Sequence, residues 1–281
     1  MLIAQITDVH LGFEPGNPRE NNRVRLDRVI DVLCNGPNQP DLLLATGDIT
    51  DLGDGESYMR FAEAVAACPF PVLACVGNHD DRENFAAALQ CPLDGGFAQY
   101  VVPLGGLRLI VLDTLEPGRQ GGAFCERRAD WLAARLDEDR ATPTLIVMHH
   151  PPFDAGIEWM ITDPREPWVA RFADAIAEYR QIAAILCGHL HRPIVTQWRG
   201  VTTIVCASTA PELALDLTPI DPEVPDARPM VVAAAPAYAL HRWTPDGLVT
   251  HFATAEDPAV LARFTAAMQP IVRQIQAERP R

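Results

Sequence analysis

The sequence contains no lysine, because all 23 basic residues of the 281-residue chain are arginines. Reactions that need a lysine amine are therefore excluded, including Schiff-base chemistry, serine–lysine dyads and the lysine of phosphate-binding P-loops. Serine is almost as scarce, since only Ser57 and Ser208 occur. Neither lies in a Gly-x-Ser-x-Gly turn, so a serine hydrolase is disfavoured as well.

The seven cysteines are scattered and include no Cys-x-x-Cys pair, which favours a reducing compartment. No apolar run approaches the ~20 residues that a membrane span needs. The first acidic residue, Asp8, comes too early for a secretory signal sequence. We therefore expect a cytoplasmic protein that makes no use of a membrane.

Acidic residues outnumber basic ones by 37 to 23, and the formal net charge at pH 7 is -14. A charge of this sign repels polyanions, so no long nucleic acid is expected as a partner. Hydrophobic residues make up 48% of the chain, which is enough for a sizeable core. The length is about twice that of a ~150-residue domain, so we expect one large domain or a core with a smaller appendage.

Short apolar runs recur along the chain, and each is typical of a buried strand. These runs lie at residues 2–6, 42–45, 72–76, 107–112, 144–148 and 183–187. Amphipathic stretches lie between them, with apolar residues at helical spacing, as at Tyr58, Phe61 and Val65. Strands that alternate with helices predict an α/β fold.

The pattern changes after about residue 193. Hairpin-like segments at 194–198 and 202–207 are followed by a proline-rich stretch at 211–229 and a strand-like pair at 237–244 and 248–253. Residues 257–276 are helix-like, with Pro258 suited to a first turn. We therefore predict a core at 1–207, a cap or second-sheet region at 208–256 and a C-terminal helix at 257–281.

Polar side chains follow five of the predicted strands. They are Asp8 and His10, Asp48, Asn78 and His79, His149, and His189 and His191. Because the carboxyl ends of strands form the ligand crevice of an open α/β sheet, we expect these loops to converge. The crevice would then present two carboxylates, one amide and five imidazoles.

A donor set of carboxylate, imidazole and amide without thiolate suits manganese, iron, cobalt or zinc, and does not distinguish among them. A catalytic zinc usually takes three protein ligands, so this larger set can hold two ions if one carboxylate bridges them. We predict that Asp48 is the bridge. Asp8 and His10 are two residues apart and can close on one ion, whereas His189 and His191 can reach two different ions.

Taken singly, each of these residues is more often a turn residue than a ligand, and the prediction rests on all five motifs occurring together. His150 should point away from His149 by strand alternation, so we expect it either to have a structural role or to support the ligands from behind. Asp51 and Asp80 are expected either to orient ligand histidines or to cap a following helix. The basic run at 19–28 is expected to be a solvated helix face rather than a substrate contact.

Five ordered motifs carry a family resemblance: Asp-Val-His at 8–10, Gly-Asp-Ile-Thr-Asp at 47–51, Gly-Asn-His-Asp at 77–80, His-His-Pro-Pro at 149–152 and Gly-His-Leu-His at 188–191. They resemble those of the calcineurin-like metallophosphoesterases. Within that superfamily, the sequence is most similar to bacterial class III cyclic nucleotide phosphodiesterases and related glycerophosphodiesterases. The resemblance covers residues 1–207 and, more loosely, 237–243. It implies a β-sandwich flanked by helices, with a small C-terminal cap or extra sheet.

The resemblance also implies a division of the ligands between two metal ions. One ion would be held by Asp8, His10, Asp48 and His191, and the other by Asp48, Asn78, His149 and His189. His79 would contact the phosphate without binding metal. We therefore predict His79 as the catalytic residue, with Asn78 and His79 binding the substrate.

We expect hydrolysis of a small phosphodiester, such as cyclic AMP or a glycerophosphodiester, by in-line attack of a metal-bound hydroxide. His79 would stabilise or protonate the leaving oxygen. A pyrophosphatase or phosphomonoesterase acting on a nucleotide-type substrate and a non-catalytic metal-binding scaffold remain alternatives, while the charge argues against a nuclease. Specificity should depend on the cap at 208–256, and relatives suggest a homo-oligomer.

Overall fold

The computed structural model describes residues 1–160 and 162–279, and within them it contains thirteen strands and six α-helices. The strands are β1 (Leu2–Ile6), β2 (Leu42–Thr46), β3 (Val72–Cys75), β4 (Tyr100–Leu104), β5 (Leu107–Val111), β6 (Thr144–Val147), β7 (Ile182–Cys187), β8 (Ile194–Trp198), β9 (Val201–Val205), β10 (Glu212–Leu213), β11 (Val231–Val232), β12 (Ala237–Thr244) and β13 (Gly247–Thr254). The helices are α1 (Asn21–Asn35), α2 (Gly55–Val65), α3 (Arg82–Leu89), α4 (Glu126–Asp137), α5 (Pro167–Ile176) and α6 (Gln269–Ala277).

Two large sheets organise the chain. The first has five strands in the order β13-β12-β1-β2-β3, and the second has six in the order β4-β5-β6-β7-β9-β8. Strands β1, β2 and β3 of the first sheet run parallel, as do β5, β6, β7 and β9 of the second. Parallel strands covered on both faces are expected to be continuous apolar runs, which is the pattern that the sequence shows.

The sheets pack face to face, and helices cover their outer faces. Buried side chains of both sheets fill the space between them, including Ile3 and Leu44 from the first and Leu186 from the second. Phe61 of α2 belongs to the apolar cluster outside the first sheet, and Phe172 of α5 to the one outside the second. The predicted β-sandwich flanked by helices is therefore confirmed.

The strand pair predicted near the C-terminus is present, but it extends the first sheet instead of forming a separate one. Strand β12 pairs antiparallel with β1, from Leu2 opposite Arg242 to Gln5 opposite Ala239. The pairing satisfies the free edge of β1 and buries residues 237–241. The extra sheet of the region at 208–236 is small, since it consists of the two-residue strands β10 and β11.

The C-terminal helix is shorter than predicted. Residues 257–265 form no regular structure, and α6 begins at Gln269 with Pro270, not Pro258, in its first turn. Helix α6 buries none of its side chains. A short helix without buried side chains gains little stability from packing, which fits its end after nine residues.

The arginine run at 19–28 is only partly a solvated face, because Arg25 fixes the start and end of the 208–236 segment to α1. Its guanidinium donates to the carbonyl oxygens of Thr209, Ala234 and Ala210 at 2.6, 2.8 and 3.1 Å. In the described part of the chain, no helix has the length and apolarity that crossing a membrane requires. The seven cysteines are free thiols.

Candidate metal centre

The loops after β1, β2, β3, β6 and β7 meet at one edge of the sandwich and bring the eight predicted site residues together. Nε2 of His10 lies 3.2 Å from Nε2 of His191, and Nε2 of His149 lies 3.2 Å from the Asp48 carboxylate. Oδ1 of Asp8 is 3.4 Å from Nε2 of His191. Side chains that are far apart in the sequence thus present their donor atoms to a common space.

Five of the converging residues hold backbone conformations that side chains other than glycine rarely adopt. The φ angles are positive at Asp8 (50°), His10 (50°), Asp48 (48°), His189 (71°) and His191 (51°). Each left-handed residue of this kind costs on the order of 1–3 kcal/mol, and such residues cluster at functional sites. The strain lies at the carboxyl ends of strands, where the chain turns so that these side chains share one space.

Two glycines permit the close approach of the loops. Gly47 has a φ of 91°, and a Cβ at this position would collide with the ring of His149. A Cβ at Gly188 would lie 2.8 Å from the carbonyl oxygen of Thr46. Any larger residue at either position would push the loops apart, because the colliding atoms belong to the cluster itself or to the backbone that supports it.

Hydrogen bonds fix the orientation of three of the histidines predicted to be ligands. Nδ1 of His149 lies 2.8 Å from the carbonyl oxygen of Thr46, and Nδ1 of His191 lies 2.9 Å from that of Pro211. Nδ1 of His10 lies 3.1 Å from Oδ1 of Asp51. Carbonyl oxygens only accept hydrogen bonds, so Nδ1 of His149 and of His191 carries a proton, and Nε2 of each ring is turned towards the carboxylates. Metal-binding histidines in proteins are typically oriented in this way.

Asn78 is oriented by a residue that sequence reasoning missed. Its Nδ2 donates to Oε1 of Gln120 at 3.0 Å, which leaves Oδ1 facing the cluster, 3.2 Å from Nε2 of His149. An amide oxygen is a suitable ligand for a divalent cation, whereas the amide nitrogen is not. Gln120 therefore selects the useful orientation of Asn78.

The electrostatics of the cluster favour a cation. Burial alone would raise the pKa of Asp8, but His191 and His149 outweigh it and lower the pKa to about 2. Burial also acts against the ionised form of Asp48, yet His149 and His10 hold its pKa well below the ordinary value. Both carboxylates are therefore ionised at neutral pH, although both are almost fully buried.

The histidines of the cluster differ in charge. Burial lowers the pKa of His149, but Asp48 and Asp8 outweigh burial and raise it to about 9. At His189, burial and the neighbouring His149 lower the pKa to about 3, so that this ring stays neutral. Positive charge is thus favoured beside the two carboxylates. Neutral imidazole, carboxylate and amide oxygen form a donor set that fits divalent cations without thiolate.

His79 differs from the predicted ligands in its exposure and its contacts. Its side chain is 31% exposed, whereas that of His149 is fully buried. Nδ1 of His79 lies 2.9 Å from the backbone carbonyl oxygen of Asp51 and carries the proton, which leaves Nε2 available. The ring also packs edge-on against His10, with centroids 4.7 Å apart. An accessible ring at the rim of the cluster can contact a bound phosphate.

The two acids with alternative predicted roles behave differently from each other. Asp51 accepts from His10 and, through its backbone, from His79, so it orients histidines as one of the predictions expected. Asp80 neither orients a histidine nor caps a helix. It accepts hydrogen bonds from Tyr58 and from backbone N–H groups such as that of Gly77, and it ties the loops together. Asp81 is the residue that caps α3.

His150 lies nearer to the cluster than strand alternation predicted. Its Nδ1 is 2.8 Å from Oγ1 of Thr114, and its ring centroid is 4.8 Å from that of His149 and 4.7 Å from that of His189. The strand β6 ends at Val147, so the alternation of a strand no longer applies at residues 149 and 150. The ring packs against two predicted ligands from behind.

A cavity of about 450 Å³ opens over the cluster. His10, Asp48, Asn78, His79, His189 and His191 line it. Asp8 and His149 do not line it and are fully buried. The outer wall includes Phe13, Trp159 and Leu213, none of which the sequence motifs indicated. These residues lie outside every recognisable motif, so only the folded chain identifies them.

Comparisons with known proteins agree with this geometry. The family profile described as "Calcineurin-like phosphoesterase" matches residues 1–193. The chain is 31% identical over 258 residues to an Arcobacter nitrofigilis protein named "Probable glycerophosphodiester phosphodiesterase GpdQ", covering 89% of this chain and 92% of the relative. It is 35% identical over 216 residues to a "Probable cyclic nucleotide phosphodiesterase" of Synechococcus sp., covering 75% of this chain and 81% of the relative.

The fold is also that of solved phosphatases. The structure of a dimetal phosphatase from Danio rerio matches with a TM-score of 0.66 and 15% sequence identity, covering 92% of this chain and 97% of that chain. The chain belongs to the calcineurin-like phosphoesterase family. This membership confirms the resemblance that the five sequence motifs indicated.

Proposed function

We propose that the protein is a metal-dependent hydrolase of small phosphodiesters, acting on a 3′,5′-cyclic nucleotide such as cyclic AMP or on a glycerophosphodiester. The observation that carries the proposal is the convergence of five loops on two ionised, buried carboxylates surrounded by oriented imidazoles. Family membership supports a phosphoester substrate. The two relatives described above are named for cyclic nucleotide and glycerophosphodiester phosphodiesterase activities, which supports the diester class.

Two cations fit the donor set if Asp48 is shared. Asp8, His10, Asp48 and His191 would hold one, and Asp48, Asn78, His149 and His189 the other. When bound, the cations would supply a water activated near neutral pH and positive charge for the phosphoryl oxygens. Two divalent charges less two carboxylates and one hydroxide leave a formal excess of about one positive charge, which complements a diester monoanion.

His79 is the protein group best placed to assist the departing oxygen. Its Nδ1 proton is held by the carbonyl oxygen of Asp51, so the ring cannot rotate without losing that bond. When protonated, Nε2 can donate to a phosphoryl oxygen or to the leaving oxygen at the open face of the cluster. General acid catalysis by a positioned side chain typically contributes ~10²–10⁴-fold.

The decisive experiment combines metal removal with a choice of substrates. We expect chelation to abolish hydrolysis of bis(p-nitrophenyl) phosphate and addition of manganese, iron, zinc or cobalt to restore it. The rate with this diester should exceed that with p-nitrophenyl phosphate. Faster hydrolysis of the monoester would contradict the proposal and favour a phosphomonoesterase. No turnover of either compound with any of the four metals would favour the non-catalytic scaffold.

A further inference from the structure

The cavity over the metal cluster has an outer wall that the phosphoryl chemistry does not explain. The wall carries two aromatic side chains, Phe13 and Trp159, together with Met160, Pro211, Leu213 and Val231. Phe13 belongs to the loop between β1 and α1 and is 66% exposed, so its ring is accessible to a ligand in the cavity. Trp159 lies in a single turn of 3-10 helix at Glu158–Met160 and is half-buried.

The size of the cavity exceeds what a phosphate needs. A volume of about 450 Å³ lies within the ~300–1,000 Å³ range of small-molecule sites, which hold ligands the size of a drug or nucleoside. A glycerol group would leave much of the apolar wall in contact with water. A planar group of one or two rings would cover it.

The charge of the cavity restricts the rest of the substrate. None of the described lining residues is an arginine, and the chain contains no lysine. Four acids line the cavity: Asp48 and Asp51 belong to the cluster, and Glu14 and Glu20 lie near Phe13 in the sequence. Glu20 is engaged with Arg60 and with backbone N–H groups, and Glu14 is exposed at the rim. A second phosphate or a carboxylate on the substrate would therefore meet repulsion and no compensating cation.

We infer that Phe13 and Trp159 form a stacking subsite for a flat, uncharged group, so that the preferred diester carries a single phosphate and a nucleobase. The inference rests on the proposed function and narrows its substrate class to cyclic mononucleotides. The flat faces of the bases stack on aromatic side chains with little dependence on sequence. The apolar wall supplies the rest of the buried surface, and the cluster below binds the phosphate.

The test compares Phe13→Ala and Trp159→Ala with a matched control. Phe264→Ala removes a phenylalanine of similar exposure, 70%, that does not line the cavity. Each variant is assayed with cyclic AMP and with glycerophosphoethanolamine, and kcat and KM are determined separately. Phe13→Tyr and Trp159→Phe keep an aromatic face and serve as rescue variants. Because Phe13 is mostly exposed, its replacement should leave the fold intact.

We expect each alanine variant to raise KM for cyclic AMP by roughly 5- to 150-fold, the equivalent of the ~1–3 kcal/mol that base–aromatic stacking contributes. The value of kcat should change by less than about twofold, because the stacking energy is the same in the ground and transition states. Glycerophosphoethanolamine kinetics, the control variant and the aromatic rescue variants should match the parent. Equal losses with both substrates, or no change with cyclic AMP, would refute the subsite.

A binding arm separates failure of the subsite from failure of the proposed function. If the parent protein hydrolyses neither diester with any of the four metals, the proposed function is wrong. Calorimetric titration of the metal-loaded protein with adenosine monophosphate and with ribose 5-phosphate then tests the subsite directly. Tighter binding of adenosine monophosphate that disappears in Phe13→Ala supports it, and equal affinity for the two compounds contradicts it.

Discussion

The backbone N–H of His79 donates a hydrogen bond to Oδ1 of Asp48 at 2.9 Å. The other carboxylate oxygen, Oδ2, lies 3.2 Å from Nε2 of His149 and 3.7 Å from Nε2 of His10. One carboxylate thus contacts three loops that follow three different strands. Asp48 cannot be moved without disturbing the histidine predicted to act on the phosphate.

Replacement of Asp48 by asparagine should remove metal from the centre. The amide keeps the shape of the side chain but loses the negative charge, so we expect fewer than two equivalents of metal per chain by elemental analysis. Catalytic efficiency should fall by at least about 100-fold, since even the loss of a group that only orients a ligand costs ~10–100-fold. Asp246→Asn, an exposed carboxylate in the β12–β13 turn, is the control. Full metal content in Asp48→Asn would exclude the bridging role.

Replacement of His79 by alanine should separate metal binding from turnover. Metal content should match the parent, whereas kcat for an alkyl diester should fall by ~10²–10⁴-fold. The loss should be much smaller with bis(p-nitrophenyl) phosphate, because p-nitrophenolate leaves without being protonated. The exposed His251 provides the control variant His251→Ala. Equal losses with both leaving groups would show that His79 does not act as a proton donor.

Arg25 should stabilise the 208–236 segment, which contributes to the cavity wall, and should take no direct part in the reaction. Arg25→Ala removes three hydrogen bonds from a guanidinium to backbone carbonyl groups, so we expect a decrease of about 2–3 kcal/mol in the free energy of unfolding. Arg25→Lys should recover only part of it, because an ammonium group lacks the planar fork. Arg28→Ala, whose partner Asp257 is fully exposed, is the control.

Hydrogen exchange tests the location of the Arg25 effect. The amides of residues 208–236 should exchange faster in Arg25→Ala, while those of β5 and β6 should be unchanged. Because Pro211 in this segment holds Nδ1 of His191, the variant should also bind metal less tightly. Uniform acceleration across the chain would mean that Arg25 supports the whole fold instead of this segment.

The buried His241 should make the protein less stable in mild acid. Burial lowers the pKa of its imidazole to about 4, whereas the unfolded chain has the ordinary value of 6.5. Between these two values the unfolded state binds a proton that the folded state excludes, so stability falls as the pH decreases from about 6.5 to 4. The full loss is about 3 kcal/mol at 1.36 kcal/mol for each pH unit.

Urea unfolding of the parent and of His241→Gln isolates this contribution. Glutamine can keep the hydrogen bond to Gln5 but does not titrate. Between about pH 7.5 and pH 5, the free energy of unfolding should decrease more in the parent than in the variant. The other histidines are present in both proteins, so subtracting one pH dependence from the other removes their contribution. Parallel losses in the two proteins would show that His241 is not a source of acid sensitivity.

The sequence was sufficient to predict the strands that carry the cluster and the residues at their ends. Runs such as 42–45 are apolar because both faces of the strand are buried, and they stop where a polar side chain such as Asp48 must face the crevice. The antiparallel partner of β1 was not predictable in the same way. Pairing between residues 2 and 242 depends on long-range register, which local patterns do not encode.

The groups that orient the side chains of the cluster could not be predicted from the sequence either. Thr46 and Pro211 act through backbone carbonyl oxygens, which every residue type possesses, so their identities carry no signal. Gln120 and Arg25 are ordinary polar residues until the fold brings them to Asn78 and to the 208–236 segment. Residue type predicts the donor atoms, whereas the orientation of those atoms is a property of the tertiary structure.

The left-handed backbone lowers the stability of the fold at the positions where it places the predicted site residues. These positions are Asp8, His10, Asp48, His189 and His191. Glycine adopts these angles without steric cost, so each such substitution would relieve backbone strain while it removes a predicted metal ligand. At Asp8 and Asp48 the loss of hydrogen bonds from the backbone N–H groups of His189 and His79 opposes this gain. A laboratory selection for thermal tolerance that ignores turnover would therefore be expected to enrich glycine at the three histidines first. The most heat-resistant variants of this sequence would then be those that have lost predicted metal ligands.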